Sequence, residues 1–204
     1  MTESLSRIKE MLKIAIPLRD ADLVFYPALF NAEESDRWMA ELTEAIAWQQ
    51  DQMTIFGRVL SLPRLTAWYG DPGKSYTYSG ITMTPTPWTE GLLALKARVD
   101  AISGVTFNSV LLNLYRDGND SVGWHSDDEP ELGQNPVIGS LSFGATRRFS
   151  LRHKFNKELK HQLGLTSGSF LLMQGTTQHY WQHHIPKTKR CATPRINLTF
   201  RIIH

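Results

Sequence analysis

Residues 195–203 make the clearest strand of the chain, and from 195 to 202 polar and apolar side chains alternate without a break. Ile196, Leu198, Phe200 and Ile202 fall on one face, and Arg195, Asn197, Thr199 and Arg201 on the other. Successive side chains of a strand leave opposite faces, so this period-two pattern specifies a strand with one core face. The second face is the unusual one. Two arginines and an amide are costly to bury without partners, so this face must either meet water or be matched by something that binds it. The same alternation recurs upstream in shorter form. Val110, Leu112 and Leu114 alternate with Ser109, Leu111, Asn113 and Tyr115 before Asp117-Gly118 ends the run, and 136–143, 148–153, 169–173 and 181–185 are further strand candidates. A chain whose second half is a series of short strands, after a mixed start, predicts a β-sandwich or jelly-roll core with helices packed outside it.

The first half reads differently. Residues 4–16 space their apolar side chains helically as far as Pro17, which predicts a short helix or arm. Asn31 is placed to cap a second helix, with Glu34 as its capping-box partner and Trp38, Leu42, Ala45 and Ile46 as its buried stripe. Between 50 and 88 the glycines and prolines Gly57, Pro63, Gly70, Pro72, Gly73, Gly80, Pro85 and Pro87 punctuate short apolar runs, the pattern of hairpins and loops. That segment is also aromatic, with Phe56, Trp68, Tyr69, Tyr76, Tyr78 and Trp88. Helix returns over 89–103, with Leu92, Leu95, Val99 and Ile102 inward and Gly104 as its stop.

Two residues apart in an extended stretch, His125 and Asp127 leave the same face and can reach one metal ion. With a second histidine they would make a 2-His-1-carboxylate facial triad, which leaves positions on Fe(II) open for a co-substrate and dioxygen. The candidates for the second histidine lie in Gln178-His179-Tyr180-Trp181-Gln182-His183-His184. Strand periodicity puts His179 and His183 on one face and His184 on the other, and spacing alone does not choose between His179 and His183. Motifs for zinc peptidases, P-loops, nucleophile elbows and paired-cysteine zinc sites are all missing.

Charge and cysteine usage narrow the setting. Net charge is +2, yet residues 1–102 carry 10 Lys/Arg against 13 Asp/Glu and residues 103–204 carry 12 against 7. From Ala145 onward there are 11 basic residues and one acid, Glu158, which points to a face that binds a polyanion. Arg147, Arg148, Arg152, Lys154, Lys157 and Lys160 are the candidates for phosphate contacts. Cys191 is the single cysteine, which excludes an internal disulfide and suits a reducing compartment. No apolar run is long enough to span a bilayer. The expectation is a cytoplasmic protein that does not engage membrane, nucleoid-associated or nuclear according to its host, and monomeric.

Four ordered motifs then carry a family resemblance. Asn113-x-Tyr115, Trp124-His125-Ser126-Asp127-Asp128-Glu129, Ser140-Leu141-Ser142-Phe143-Gly144-Ala145-Thr146-Arg147 and Pro194-Arg195-Ile196-Asn197-Leu198-Thr199-Phe200-Arg201 resemble the AlkB family, closest to its animal-homologue branch. The resemblance runs from about residue 55 to 203 and includes Tyr76-Thr77-Tyr78-Ser79-Gly80. It implies an α+β, mainly β fold: a double-stranded β-helix (jelly roll) with N-terminal helices and a hairpin-rich nucleotide-recognition lid. As one domain, 1–204 would divide into an N-terminal helical extension (1–50), recognition hairpins (51–90) and a helix plus jelly-roll dioxygenase core (91–204). The family's last histidine sits in a W-x-H segment, which selects His183, with His184 one residue away. The metal ligands implied are therefore His125, Asp127 and His183, holding Fe(II). Asn113, Tyr115, Arg195, Asn197 and Arg201 are implied to bind the co-substrate 2-oxoglutarate, with Arg195 favoured for its distal carboxylate. Phe56, Tyr76, Tyr78, Ser79, Glu129 and Arg147 are implied to meet the nucleic acid: Tyr78 and the ring of His125 sandwich an extruded base, Glu129 reads its exocyclic amine, and Phe56 wedges into the stack.

The implied activity is oxidative demethylation of N-alkylated bases of the 1-methyladenine and 3-methylcytosine type in alkylated DNA, with RNA left open. The co-substrates are 2-oxoglutarate and O2, and the products succinate, CO2 and formaldehyde. The alternatives are an Fe(II)/2-oxoglutarate oxygenase acting on RNA modifications or on a non-nucleic-acid substrate, and a non-catalytic jelly-roll binding module. A mononuclear zinc hydrolase would leave Asn113, Tyr115, Arg195 and Arg201 without a role.

Overall fold

The computed structural model describes residues 12–204 except 56, 57, 75, 79 and 80. The alternating C-terminal segment forms β15 (Arg195–Arg201), an interior strand. It pairs antiparallel with β10 (Ile138–Gly144) on one side and β8 (Ser109–Tyr115) on the other. β13 (Phe170–Gln174), β2 (Asp22–Tyr26) and β1 (Ile14–Ile16) extend the sheet beyond β10, and β5 (Leu65–Gly70) closes it beyond β8. A second sheet runs in the order β12 (Lys160–Leu165), β11 (Arg147–His153), β14 (Trp181–Ile185), β9 (Val122–His125). Two hairpins stand outside both sheets: β3 (Gln52–Ile55) with β4 (Arg58–Ser61), and β6 (Tyr76–Tyr78) with β7 (Ile81–Met83).

Burial sorts these elements into three layers. Helices α1 (Ala32–Ala45) and α2 (Glu90–Ser103) cover the outer face of the seven-stranded sheet. There Leu42, Leu92, Leu95 and Val99 join Val110, Leu112, Phe143, Ile196, Leu198 and Phe200 in one core. On the inner face Phe25, Ile138, Leu171 and Met173 meet Phe149, Leu151, Trp181 and Ile185 of the four-stranded sheet. Each such fully buried Leu, Ile or Phe contributes about 1.5–3 kcal/mol relative to exposure. The architecture is a double-stranded β-helix with helices packed outside, the fold class expected.

The helix boundaries follow their caps. The Asn31 side chain accepts from Glu34 N–H at 2.9 Å while the Glu34 carboxylate accepts from Asn31 N–H at 2.9 Å, a reciprocal capping box. Thr89 caps α2, and Gly104 at φ 75° ends it. Arg98 clamps the two helices together, donating to Glu34 and to the Leu29 carbonyl with its guanidinium 4.2 Å from the Phe30 ring centroid.

Four expectations need correction. The helical reading of 4–16 fails where it can be checked, because Ile14–Ile16 is an edge strand with Ile14 opposite Phe25; residues 1–11 lie outside the described residues. β-Branched Ile14 and Ile16 favour the extended chain, and the free edge of β2 supplies its hydrogen bonds. The described part of 1–50 is therefore not a wholly helical extension, since β1 and β2 belong to the large sheet and the helix is confined to Ala32–Ala45. Within 50–88, Leu65–Gly70 is a sheet strand paired with β8 rather than part of a free hairpin. Ala45 is exposed, because α1 ends there and only Ile46, its C-cap, turns inward.

Candidate metal and co-substrate site

The four-stranded sheet brings the predicted ligands together by register. His183 of β14 lies directly opposite His125 of β9, and the chain continues two residues past His125 to Asp127. The ligand atoms of His125, Asp127 and His183 all lie within 4.8 Å of one another, a spacing that one metal ion can bridge. His183 Nε2 is 3.6 Å from Asp127 Oδ2, and the two imidazole rings are 4.3 Å apart at 62°. The competing histidines are elsewhere. His179 is not on a strand: it lies in the short helix α3 (Thr177–Tyr180), is exposed, and bonds the Gln134 carbonyl. His184 points to the other side of β14, stacked on Trp124 at 3.7 Å.

The protonation states suit a cation. Burial would raise the pKa of Asp127, but Arg201, then His183 and His125, hold it well below the usual carboxylate range. Arg201 donates to Asp127 Oδ1, and the Asp127 backbone N–H donates to Gln178 Oε1 at 3.0 Å. Burial, then His125, pushes His183 down to about 3 against the pull of Asp127, so its imidazole is neutral at pH 7. His125 Nδ1 is 2.8 Å from the Gly123 carbonyl; donation there leaves the Nε2 lone pair for a metal. The set is thus a carboxylate, the neutral imidazole of His183, and the imidazole of His125 with its Nε2 turned away from the Gly123 carbonyl.

The same cavity, of about 510 Å³ including its mouth, is walled on its other side by the polar face of β15 and its neighbours Asn113 and Tyr115 on β8. That face is buried, with Arg195 at 1% and Asn197 at 7% exposure. Arg195 Nη2 donates to Ser142 Oγ at 2.9 Å, but Nε and Nη1 have no hydrogen-bond partner among the described residues. Burial lowers its pKa to about 10, against the charge and hydrogen-bonding influence of Tyr115, so it stays a cation in the cavity wall. An oxyanion is the group such donors fit. Asn197 is differently placed: its amide nitrogen donates to Ser140 Oγ and the Leu141 carbonyl, so it braces the wall instead of offering donors to a ligand.

Two contributors were not foreseen. Arg64, leading into β5, lines the cavity and donates to Asn113 Oδ1 at 2.7 Å. Gln178 is fully buried and holds the Asp127 main chain. Neither carries a sequence signal beyond being polar beside an apolar run.

On the substrate side, Phe56 and Ser79 lie outside the described residues, and so do the side chains of Tyr76 and Tyr78, whose backbone forms β6. Glu129 follows the ligand segment with a buried Oε2 that has no hydrogen-bond partner among the described residues. Arg147 is a correction. It is 2% exposed and donates to the carbonyls of Asp117, Asp120 and Pro186, with Tyr115 beneath it, so it locks two loops and cannot reach a phosphate. Arg147→Ala is expected to lower stability by about 3 kcal/mol or more, because buried carbonyls lose charged donors. It should leave the salt slope of nucleic-acid binding unchanged; a shallower slope would restore the phosphate role. Arg152 and Lys154 also have protein partners, in Gln182 and Asp128, whereas Arg148, Lys157 and Lys160 are exposed.

Residues 22–201 match the family model described as the 2OG-Fe(II) oxygenase superfamily. The chain is 44% identical over 188 residues to alpha-ketoglutarate-dependent dioxygenase alkB homolog 3 of Homo sapiens, an alignment covering 88% of this chain and 65% of that protein. It is 42% identical over 188 residues to the DNA oxidative demethylase ALKBH2 of Mus musculus, covering 87% and 79% respectively. The chain therefore spans slightly under two thirds of the alkB homolog 3 proteins. Among solved structures, that of OsALKBH1 superposes with a TM-score of 0.65 at 19% identity, covering 93% of this chain and 100% of that one, a likeness of fold.

Proposed function

The chain belongs to the 2OG-Fe(II) oxygenase superfamily, among its AlkB homologues, and on that premise we propose that it removes N-linked methyl groups from bases of alkylated DNA by oxidation. The observation that carries the reading is one cavity with two chemically distinct ends. At one end lie two imidazoles and an ionised carboxylate; at the other, a buried arginine with two nitrogens that lack a hydrogen-bond partner among the described residues. His125, Asp127 and His183 would hold Fe(II), and Arg195 the distal carboxylate of 2-oxoglutarate, with Tyr115 beside it. Bound together, Fe(II), 2-oxoglutarate and O2 supply the oxidising power that hydroxylates the N-methyl carbon, after which formaldehyde is lost and succinate and CO2 remain.

The protein's own part is alignment and charge. Arg201 occupies one oxygen of Asp127 and so turns the other toward His183 and the metal position. Gln178 of α3 fixes the Asp127 main chain, and Ser126 Oγ donates to the Trp181 carbonyl of β14 at 3.0 Å, so the ligand segment is anchored to both elements just before and at its carboxylate. Asn113, held by Arg64, is assigned to the co-substrate wall. A methyl group at the pairing edge can be reached only in an extruded base. The aromatic hairpins at 51–90 are assigned to receive it, with Phe56, Tyr76, Tyr78 and Ser79, and Glu129 to read its exocyclic amine. The whole chain would act as one domain and as a monomer, in the cytoplasm or wherever its host keeps DNA. No helix among the described residues is long and apolar enough to cross a membrane.

The assay is direct. Protein, Fe(II), ascorbate, 2-oxoglutarate and oligonucleotides carrying 1-methyladenine or 3-methylcytosine should give an oligonucleotide lighter by about 14 Da, the mass of the CH2 lost. DNA and RNA strands run side by side decide which is preferred. Succinate formation on another substrate with no loss from either oligonucleotide would sink the reading.

A further inference from the structure

Phe155 is the most exposed large apolar side chain among the described residues, at 76%. It sits in the connection between β11 and β12. A single exposed apolar residue is ordinary and needs no explanation, but this one stands on a fixed base beside the candidate site. His153 is buried, and its Nδ1 accepts the backbone N–H of Phe155 at 3.2 Å and of Asn156 at 3.0 Å. The other ring nitrogen, which therefore carries the proton, faces Asp20 Oδ2 at 3.3 Å. Lys154 N–H donates to the Tyr180 carbonyl at 2.7 Å, and His153 N–H to the Leu159 carbonyl at 3.0 Å. The Phe155 ring meets His153 and Tyr180 edge-on at 6.0 Å each, which leaves most of it open.

The surroundings state what the ring is open to. Lys157 and Lys160 are exposed on the same hairpin, with Glu158 as its one acid. Lys154 Nζ bonds Asp128 Oδ2 at 2.9 Å and the Gln178 carbonyl at 2.8 Å, so the turn abuts the residue next to Asp127. An open aromatic ring on an anchored turn, beside the exposed Lys157 and Lys160 and one residue from a contact with the ligand segment, fits a strand that offers both flat faces and phosphates. We propose that Phe155 is a stacking platform for an unpaired base flanking the one held in the cavity, with Lys157 and Lys160 drawing in the adjoining phosphates. The proposal rests on the nucleic-acid reading above and adds a contact to it. Because every base has a π face, the platform would act without regard to sequence. Its turn is already ordered, so little conformational freedom is lost on binding.

The test uses the full chain without dioxygen and a single-stranded oligonucleotide carrying one 3-methylcytosine, with affinity read by fluorescence anisotropy. Losing a stacked base on an aromatic side chain changes affinity by roughly 5- to 150-fold. Phe155→Ala should therefore weaken binding by about tenfold, and Phe155→Trp should retain it with indole fluorescence quenched on binding. An abasic site placed at each position in turn should find one flanking position where wild type weakens as much and Phe155→Ala loses nothing further. Wild-type affinity in Phe155→Ala, or additive losses at every position, would overturn the platform. Should Phe155→Ala change self-association in sedimentation and leave affinity intact, the ring belongs to a contact between copies and the platform is likewise refuted. Demethylation that proceeds with no dependence on Phe155 removes only the platform, whereas failure of the wild type to bind any oligonucleotide removes the nucleic-acid reading with it.

Discussion

The Asp127→Asn protein is expected to bind Fe(II) about two orders of magnitude more weakly than wild type and to show no turnover above background. Asparagine keeps the shape of aspartate, so the change isolates charge and lone pairs. Arg201 donates to one carboxylate oxygen, and in the variant it must take the amide oxygen, because the amide nitrogen is itself a donor. That leaves the NH2 group where Oδ2 stood, facing His183 and the metal position. A ligand lone pair is replaced by a donor, and a buried cation loses its only carboxylate among the three candidate ligands. Two orders of magnitude correspond to about 2.7 kcal/mol. The midpoint of thermal unfolding should also fall by several degrees, since Arg201 keeps an acceptor but loses the opposite charge. Titrating apoprotein with Co(II) or Fe(II) by calorimetry reads metal affinity without needing turnover. Wild-type affinity in the folded variant would remove Asp127 from the ligand set.

Which parts of this arrangement could be read from the residues depends on whether a pattern is local. The period-two alternation of β15, the capping box of Asn31 and Glu34, and the Gly104 stop each lie within one short stretch and were legible. Ile14–Ile16 was not, because its conformation is set by a neighbouring strand and its apolar spacing fits a helix equally well. Strand β12 alternates weakly and is half exposed, so nothing in its own residues marks it. Leu65–Gly70 lies among turn residues and is identified as sheet only by its pairing with β8.

The site divides along the same line. His125 and Asp127 share a strand face and could be paired by spacing, but periodicity left His179 and His183 equivalent. The distinction arises because α3 interrupts the strand before Trp181, and a four-residue helix leaves no periodic trace. Arg147 misleads for a related reason: as a basic residue in a basic run it reads as surface, yet it opens β11 with its side chain inward, where three carbonyls from distant loops converge. Arg64 and Gln178 act through residues 49 and 51 positions away, a distance that no local pattern reports.

Arg195→Met should make the ligand-free protein more stable while abolishing its response to 2-oxoglutarate. The wild-type side chain is 1% exposed, and two of its three nitrogens have no hydrogen-bond partner among the described residues. An unsatisfied buried polar group costs about 1–3 kcal/mol, more when charged, and replacing buried charge by an apolar group of similar size is often stabilising. Methionine has comparable reach, can pack on Tyr115, and gives up the hydrogen bond to Ser142 and the polar interaction with Tyr115. The expected net effect is a midpoint raised by about 5 °C, at roughly 2–4 °C per kcal/mol for a chain of this size. Saturating 2-oxoglutarate should stabilise the wild type by about 2.7 kcal/mol at a hundredfold excess over its dissociation constant. The variant should gain nothing measurable, and its KM for 2-oxoglutarate should rise at least about 100-fold, because a charged, planar donor pair is lost. The opposite result, a lower midpoint with protection by 2-oxoglutarate retained, would make Arg195 a structural residue and place the distal carboxylate elsewhere. The direction of the apoprotein shift is the sharper measurement, because a guanidinium kept for packing and one kept for an absent dianion predict opposite signs.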